Sequence, residues 1–210
     1  MQLPYPQVVE LVAQSQGRVE ETLATLTEPQ ARAASALPGW SRGHLVTHLA
    51  RNADALNRLV RGVLGGTSPE MYPGGHDARA AAIEEGADRP VELLTADLLF
   101  AGRRVLDSLR SVEPDRLDTP VKWRRSIPAA DLPVLRWREL EIHHLDLDLG
   151  YTCLDWPVEF VESTLDSQLP ELTRVAPDLP LPDLPRAELL AWIVGRPTRD
   201  GLPELPAWPF

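Results

Sequence analysis

The sequence predicts a mainly α fold, a four-helix bundle followed by a small C-terminal α or α+β subdomain. Three observations predict it. Four long stretches carry apolar residues at helical spacing, the connections between them are too extended for simple helical hairpins, and nothing before residue 150 alternates as a strand does. Many of the 21 prolines fall after position 156. The chain therefore divides into a bundle over residues 1–150 and a Pro-rich subdomain over residues 151–210.

The first helix is expected over residues 5 to 26, where Val8, Val9, Val12, Val19, Leu23 and Leu26 recur at roughly helical spacing. The second opens at Trp40-Ser41. Ser41 can cap the free amides while Trp40 packs on Leu45 as a hydrophobic staple. That helix runs to about Leu64 and stops at Gly65-Gly66. Residues 65 to 77, GGTSPEMYPGGHD, read as a loop, with a short helical piece from Ala78 to Glu85 after it. A third long helix begins near Pro90 and aligns Leu94, Leu98, Ala101, Val105 and Leu109 on one face. The fourth starts around Asp131-Leu132-Pro133 and continues to Leu149, with Gly150 as terminator. In the tail one further short helix is expected, Ala187 to Val194, closed by Gly195, with room for a short strand or two.

Composition removes several function classes. The chain has 210 residues, of which 43% are hydrophobic, enough to bury a core. Its 31 acidic residues outnumber 21 basic ones, for a net charge of −10, and no Lys/Arg cluster is dense enough for a phosphate-binding stripe. Nucleic acid and membranes are thereby excluded as expected partners. No apolar run is long enough for a membrane span and the N-terminus lacks a leader pattern, so a cytoplasmic protein is expected. The one cysteine, Cys153, can form neither an internal disulfide nor a thiolate cluster. Any metal must sit on histidine and carboxylate ligands.

Two helical stripes contain such groups. On the second helix, Leu45, His48, Leu49, Asn52, Leu56, Leu59 and Val63 share the inward face, so His48 and Asn52 are polar residues within an apolar stripe. Taken alone, His48 is either a buried histidine satisfied by a neighbour or a ligand. On the fourth helix, Leu132, Leu135, Glu139, Leu140, His143 and Leu147 trace the inward stripe, which places Glu139 and His143 one turn apart on a dry face. A carboxylate there needs a cation, either Arg136 or a bound metal. A carboxylate and an imidazole at i and i+4, with His48 opposite, make up the three-ligand set that catalytic zinc commonly uses. Asp146, one turn beyond His143, either fixes that ring's tautomer or is an ordinary acid. His144 and Asp148 point to other faces.

Three stretches then carry a family resemblance: GWSRGHLVTHLARNADAL at 39 to 56, MYPGGHDARAAAIEEGADR at 71 to 89, and RWRELEIHHLDLDLGY at 136 to 151. They resemble the mycothiol-dependent maleylpyruvate isomerases, a branch of the DinB-like metal-binding four-helix bundles, and AELLAWIVGR at 187 to 196 extends the likeness into the tail. The resemblance implies zinc, or another divalent metal, on His48, Glu139 and His143, the positions already reached from periodicity. It also implies that Arg79, otherwise read as a solvent-exposed charge, is the arginine important for activity, a bidentate clamp for one carboxylate of an unsaturated dicarboxylate substrate. Asn52 and Asp146 are the expected second layer around the metal.

The implied chemistry uses mycothiol or another low-molecular-weight thiol. Its thiolate adds to the cis double bond of maleylpyruvate and leaves after rotation, giving fumarylpyruvate. Cys153, beyond the fourth helix, is expected to be a packing residue, so the thiol comes from outside. Two alternatives remain: a thiol S-transferase of the same superfamily acting on electrophiles, and a non-catalytic bundle stabilised by its metal. The tail is expected to be shorter than the family's C-terminal domain, which helps cover cofactor and substrate.

Overall fold

The computed structural model describes residues 3–123 and 125–207, and among these the protein is mainly helical. By its internal contacts the chain forms two compact units, Pro4–Leu149 and a second built from the residues that follow.

Four long helices make the first unit: α1 (Tyr5–Leu23), α3 (Arg42–Gly65), α5 (Val91–Arg110) and α6 (Leu132–Asp146). Between them lie the one-turn α2 (Glu28–Arg32) and the shorter α4 (Gly75–Ala87). α3 packs against α5 and α6, and α1 packs against the same two helices, so the bundle runs α1, α5, α3, α6 around its axis. Successive long helices α1 and α3 are thus diagonal, as are α5 and α6, which is why their connections exceed hairpin length. The core is aliphatic: Val12, Val19, Leu45, Leu49, Leu94, Leu98, Val105 and Leu140 are among its fully covered side chains.

Local sequence explains the ends of α3. Ser41 accepts a hydrogen bond from the His44 amide, and Gly66 closes the helix in the left-handed region at φ 67°. α4 lies close to α3 because both carry small residues at the contact. A Cβ on Gly43 would stand 2.2 Å from the Ala87 carbonyl oxygen, and that carbonyl is also held by Arg32 at 3.2 Å. Since backbone cannot yield as a flexible side chain does, Gly43→Ala is expected to cost about 3 kcal/mol. In a thermal melt that is a fall of very roughly 6–12 °C for a chain of this size.

Four departures from the sequence expectation have physical reasons. α2 is too short to show a period and is marked only by its Thr27/Gln30 capping box. A hairpin of β1 (Pro120–Lys122) and β2 (Ser126–Pro128) pairs antiparallel and buries only Val121 and Ile127, so the chain before residue 150 is not free of strands. Three-residue strands cannot reveal alternation. α6 ends at Asp146 rather than Leu149. Arg42 takes the next two carbonyls, Leu147 at 2.6 Å and Asp148 at 2.9 Å, and Asp148 itself adopts φ 53°, reversing the chain before Gly150.

The fourth departure is in the second unit. It holds α8 (Arg186–Ile193) near its expected position and also a longer helix, α7 (Val158–Val175), that the tail's proline content concealed. Pro157 precedes its first turn, Pro170 lies inside it, and Phe160, Val161, Thr164, Leu165 and Leu172 form its buried stripe. α7 packs on α8, and α8 on the single 3-10 turn Cys153–Asp155. No described segment of this unit is a strand. Among the described residues, no helix is long and apolar enough to cross a membrane.

Candidate metal centre

The site lies in the bundle, where α3 faces α6. His48 comes from α3, and Glu139 and His143 come from successive turns of α6. His48 Nε2 is 2.9 Å from Glu139 Oε2, and His143 Nε2 is 3.5 Å from the same oxygen. The rings of His48 and His143 meet edge to face with centroids 4.7 Å apart. One ligand atom from each residue lies within 4.8 Å of the others. In tetrahedral coordination with bonds of about 2.0–2.1 Å, ligand atoms stand about 3.3 Å apart, so two nitrogens and one carboxylate oxygen at these separations suit a divalent ion.

The stripe read along α6 differs from the one the fold buries. α6 packs on α1 as well as α3, so Arg136, Trp137, Leu140, Glu141 and His144 are the covered residues. Glu139 and His143 sit at the rim, with side chains 31% and 16% exposed, rather than on a dry face. These two side chains are thus partly exposed while His48, at 4%, is enclosed. His144 turns away to Thr22 at 2.7 Å, and Asp148 is exposed beyond the helix end.

Each remaining expected residue has a definite place. Asp146 Oδ2 accepts from His143 Nδ1 at 2.8 Å, which leaves the Nε2 lone pair directed at Glu139. Asn52 Oδ1 accepts from Arg136 at 2.9 Å. Arg79, on α4, is half-buried rather than solvent-exposed: its Nη2 donates to His48 Nδ1 at 2.9 Å and its guanidinium lies 5.5 Å from the Tyr72 ring centroid. Arg136 is not the cation that meets Glu139 directly. Fully buried, it donates instead to Leu49 O, Asn52 Oδ1 and Gln16 Oε1 at 2.8 to 2.9 Å.

Two site residues escaped the sequence reading. Tyr72 lies beside Arg79, and burial together with the charge of Glu139 pushes its hydroxyl up. Its signal was a lone aromatic in the Gly/Pro loop before Arg79. Trp40 places its ring 5.6 Å from that of His48 and 6.3 Å from that of His44. Its position just ahead of the Ser41 cap was visible, but not which rings it would cover.

Electrostatics suit ion binding. Burial lowers the pKa of His48 against the opposing pull of Glu139, which keeps the ring neutral and able to ligate. Burial pushes Glu139 up, but the hydrogen bond from His48 and the electrostatic pull of His48, His143 and Arg136 outweigh it and bring the carboxyl down to about 2. A depressed folded-state pKa stabilises the fold fully above the ordinary value of 4.5 and is lost as pH falls toward 2. Acid titration of metal-free protein should thus show a steeper loss of stability between pH 4.5 and 2 for wild type than for Glu139→Gln.

Comparison with known proteins agrees with this architecture. A crystal structure of the mycothiol-dependent maleylpyruvate isomerase superposes on 99% of this chain and 97% of its own, with a TM-score of 0.86 and 24% identity. A crystal structure of a histidine-to-alanine mutant of that enzyme covers 83% of this chain and 73% of its own, with a TM-score of 0.77 and 24% identity. At that identity the likeness shows the fold alone, but the extent of the first superposition corrects the expectation of a shortened tail. No curated protein sequence matches. The model of the mycothiol maleylpyruvate isomerase N-terminal domain matches residues 12–148, more than half the chain and all of the candidate centre, and the protein belongs to that family of enzymes.

Proposed function

We propose that the chain is a zinc-dependent cis–trans isomerase that uses mycothiol, or another low-molecular-weight thiol, to convert maleylpyruvate or a similar unsaturated diacid to fumarylpyruvate or the corresponding trans acid. The observation that carries the reading is the convergence of His48 Nε2, Glu139 Oε2 and His143 Nε2 within the segment the family match spans. A divalent ion held there lowers the pKa of a coordinated thiol, so that thiolate is available at neutral pH.

The chain's own groups supply the rest. Glu139, His48 and His143 would hold a dication with net positive charge, which would suit an anionic thiolate. Asp146 holds the hydrogen of His143 on Nδ1. Arg79, beside the Tyr72 ring, offers a two-pronged donor for a substrate carboxylate. Cys153 is buried and its thiol is pushed up by burial, so it stays protonated and leaves the nucleophile to an external thiol. All of these groups except Cys153 belong to residues 1–150, which in this reading form the metal-binding bundle. The reading places the enzyme in the cytoplasm.

Purified protein with zinc, mycothiol and maleylpyruvate should convert the cis to the trans acid while free thiol stays constant. Thiol consumed in step with substrate would instead identify an S-transferase. No turnover with any low-molecular-weight thiol would refute the isomerase reading.

A further inference from the structure

The two histidines of the centre are held in opposite tautomers. A carboxylate only accepts, so the 2.8 Å contact with Asp146 puts the hydrogen of His143 on Nδ1 and the lone pair on Nε2, as a ligand requires. A guanidinium only donates, so the 2.9 Å contact from Arg79 Nη2 requires a lone pair on His48 Nδ1. The hydrogen of His48 is then on Nε2, where it donates to Glu139 Oε2 at 2.9 Å. That is the atom facing the other two ligands, and an N–H cannot ligate.

We infer that Arg79 and a metal ion compete for His48, so that metal entry releases the Arg79 guanidinium and makes it available to a carboxylate. The inference rests on the metal reading above and adds an order of events to it. For His48 to ligate through Nε2, the ring gives up that proton to solvent and takes one up at Nδ1, remaining neutral. Two donors would then face each other across 2.9 Å, and a guanidinium would stand beside a dication. Neither is tolerable in an enclosed site, and Arg79 is the partner able to move.

Its surroundings permit the movement. α4 buries only Ile83, Gly86 and Ala87, all toward its C-terminal end, while Arg79 stands on the exposed N-terminal half beyond Gly74 and Gly75. The Tyr72 ring provides a surface over which the guanidinium can turn without leaving the site. A carboxylate clamp would then exist only in the metal-loaded site. Metal would bind before the diacid.

The test is zinc affinity of the full chain, measured by competition with a chromogenic chelator, for wild type, Arg79→Ala, Arg79→Gln and Arg79→Lys. Removing the competing donor and its charge should tighten zinc about tenfold in Arg79→Ala, the scale of other outer-layer effects on metal sites. Arg79→Gln should bind at least as tightly, because its carbonyl can accept from the Nδ1 hydrogen, and Arg79→Lys should stay near wild type. Long-range nitrogen–proton NMR of labelled histidines, with His48 assigned by its alanine variant, should show the hydrogen on Nε2 before zinc and on Nδ1 after. Equal or weaker zinc binding in Arg79→Ala and Arg79→Gln, or an Nδ1 hydrogen already present without zinc, would overturn the competition alone. A wild-type chain that takes up no zinc would overturn the metal reading itself, and this inference with it.

Discussion

Replacing His48, Glu139 or His143 by alanine is expected to bring bound zinc from one equivalent to near zero and to lower thiol-dependent turnover by about a thousandfold or more. The expectation follows from geometry: the three ligand atoms lie within 4.8 Å of one another, and among the described residues no other His, Cys, Asp or Glu joins them in such a group. A metal acting as Lewis acid lowers the barrier by several kcal/mol, and losing about 4 kcal/mol of that corresponds to the expected fall in rate. Asp146→Asn keeps all three ligands but removes the acceptor that orients His143, and should weaken zinc by about 10- to 100-fold. Elemental analysis and the isomerisation assay check the series together. Full zinc occupancy in the His48→Ala and His143→Ala proteins would remove this triad as the metal centre.

Arg136→Ala is expected to give the largest loss of stability of any single change in the bundle, about 4–5 kcal/mol. Arg136 is completely buried, and its bonds tie α6 to Leu49 and Asn52 on α3 and to Gln16 on α1. Truncation takes the Arg136 donor from the buried Asn52 and Gln16 oxygens, each costing about 1–3 kcal/mol, removes the second donor of Leu49 O, and opens a cavity as well. Burial brings the guanidinium pKa down only to about 10, so it stays charged at neutral pH and the charge is lost with the side chain. Thermal melts should show a drop on the order of 10 °C or more. Replacing Arg136, Asn52 and Gln16 together by apolar residues of similar size should restore much of it, because no polar group is then stranded. If Arg136→Ala melts with wild type, the network does not hold the helices together.

Much of this was legible before folding was considered. His48, Glu139 and His143 stand out because polar residues recur at helical spacing among leucines, and the periods of two helices are local properties of the chain. Ser41, Gly66 and Pro90 mark helix ends for equally local reasons: a side-chain acceptor, a left-handed φ and a preset backbone angle. The hairpin and α2 were too short to have a period, and Pro170 hid α7 inside a proline-rich tail.

The sequence by itself determined a mainly helical chain, the helices that bear the three ligand candidates, and an acidic surface without a nucleic-acid footprint. Only the tertiary structure decided how those groups work. Packing α6 against both α1 and α3 buries Arg136, Glu141 and His144 and leaves Glu139 and His143 at an accessible rim, an outcome that no single-helix period contains. Likewise Arg79 looks like any exposed charge in α4 until close approach at Gly43 and Gly86 brings that helix against α3 and the guanidinium to His48. The physical reason is the same in both cases. Spacing along a helix depends on neighbours a few residues away, whereas burial, tautomer and charge pairing depend on which other helix stands opposite.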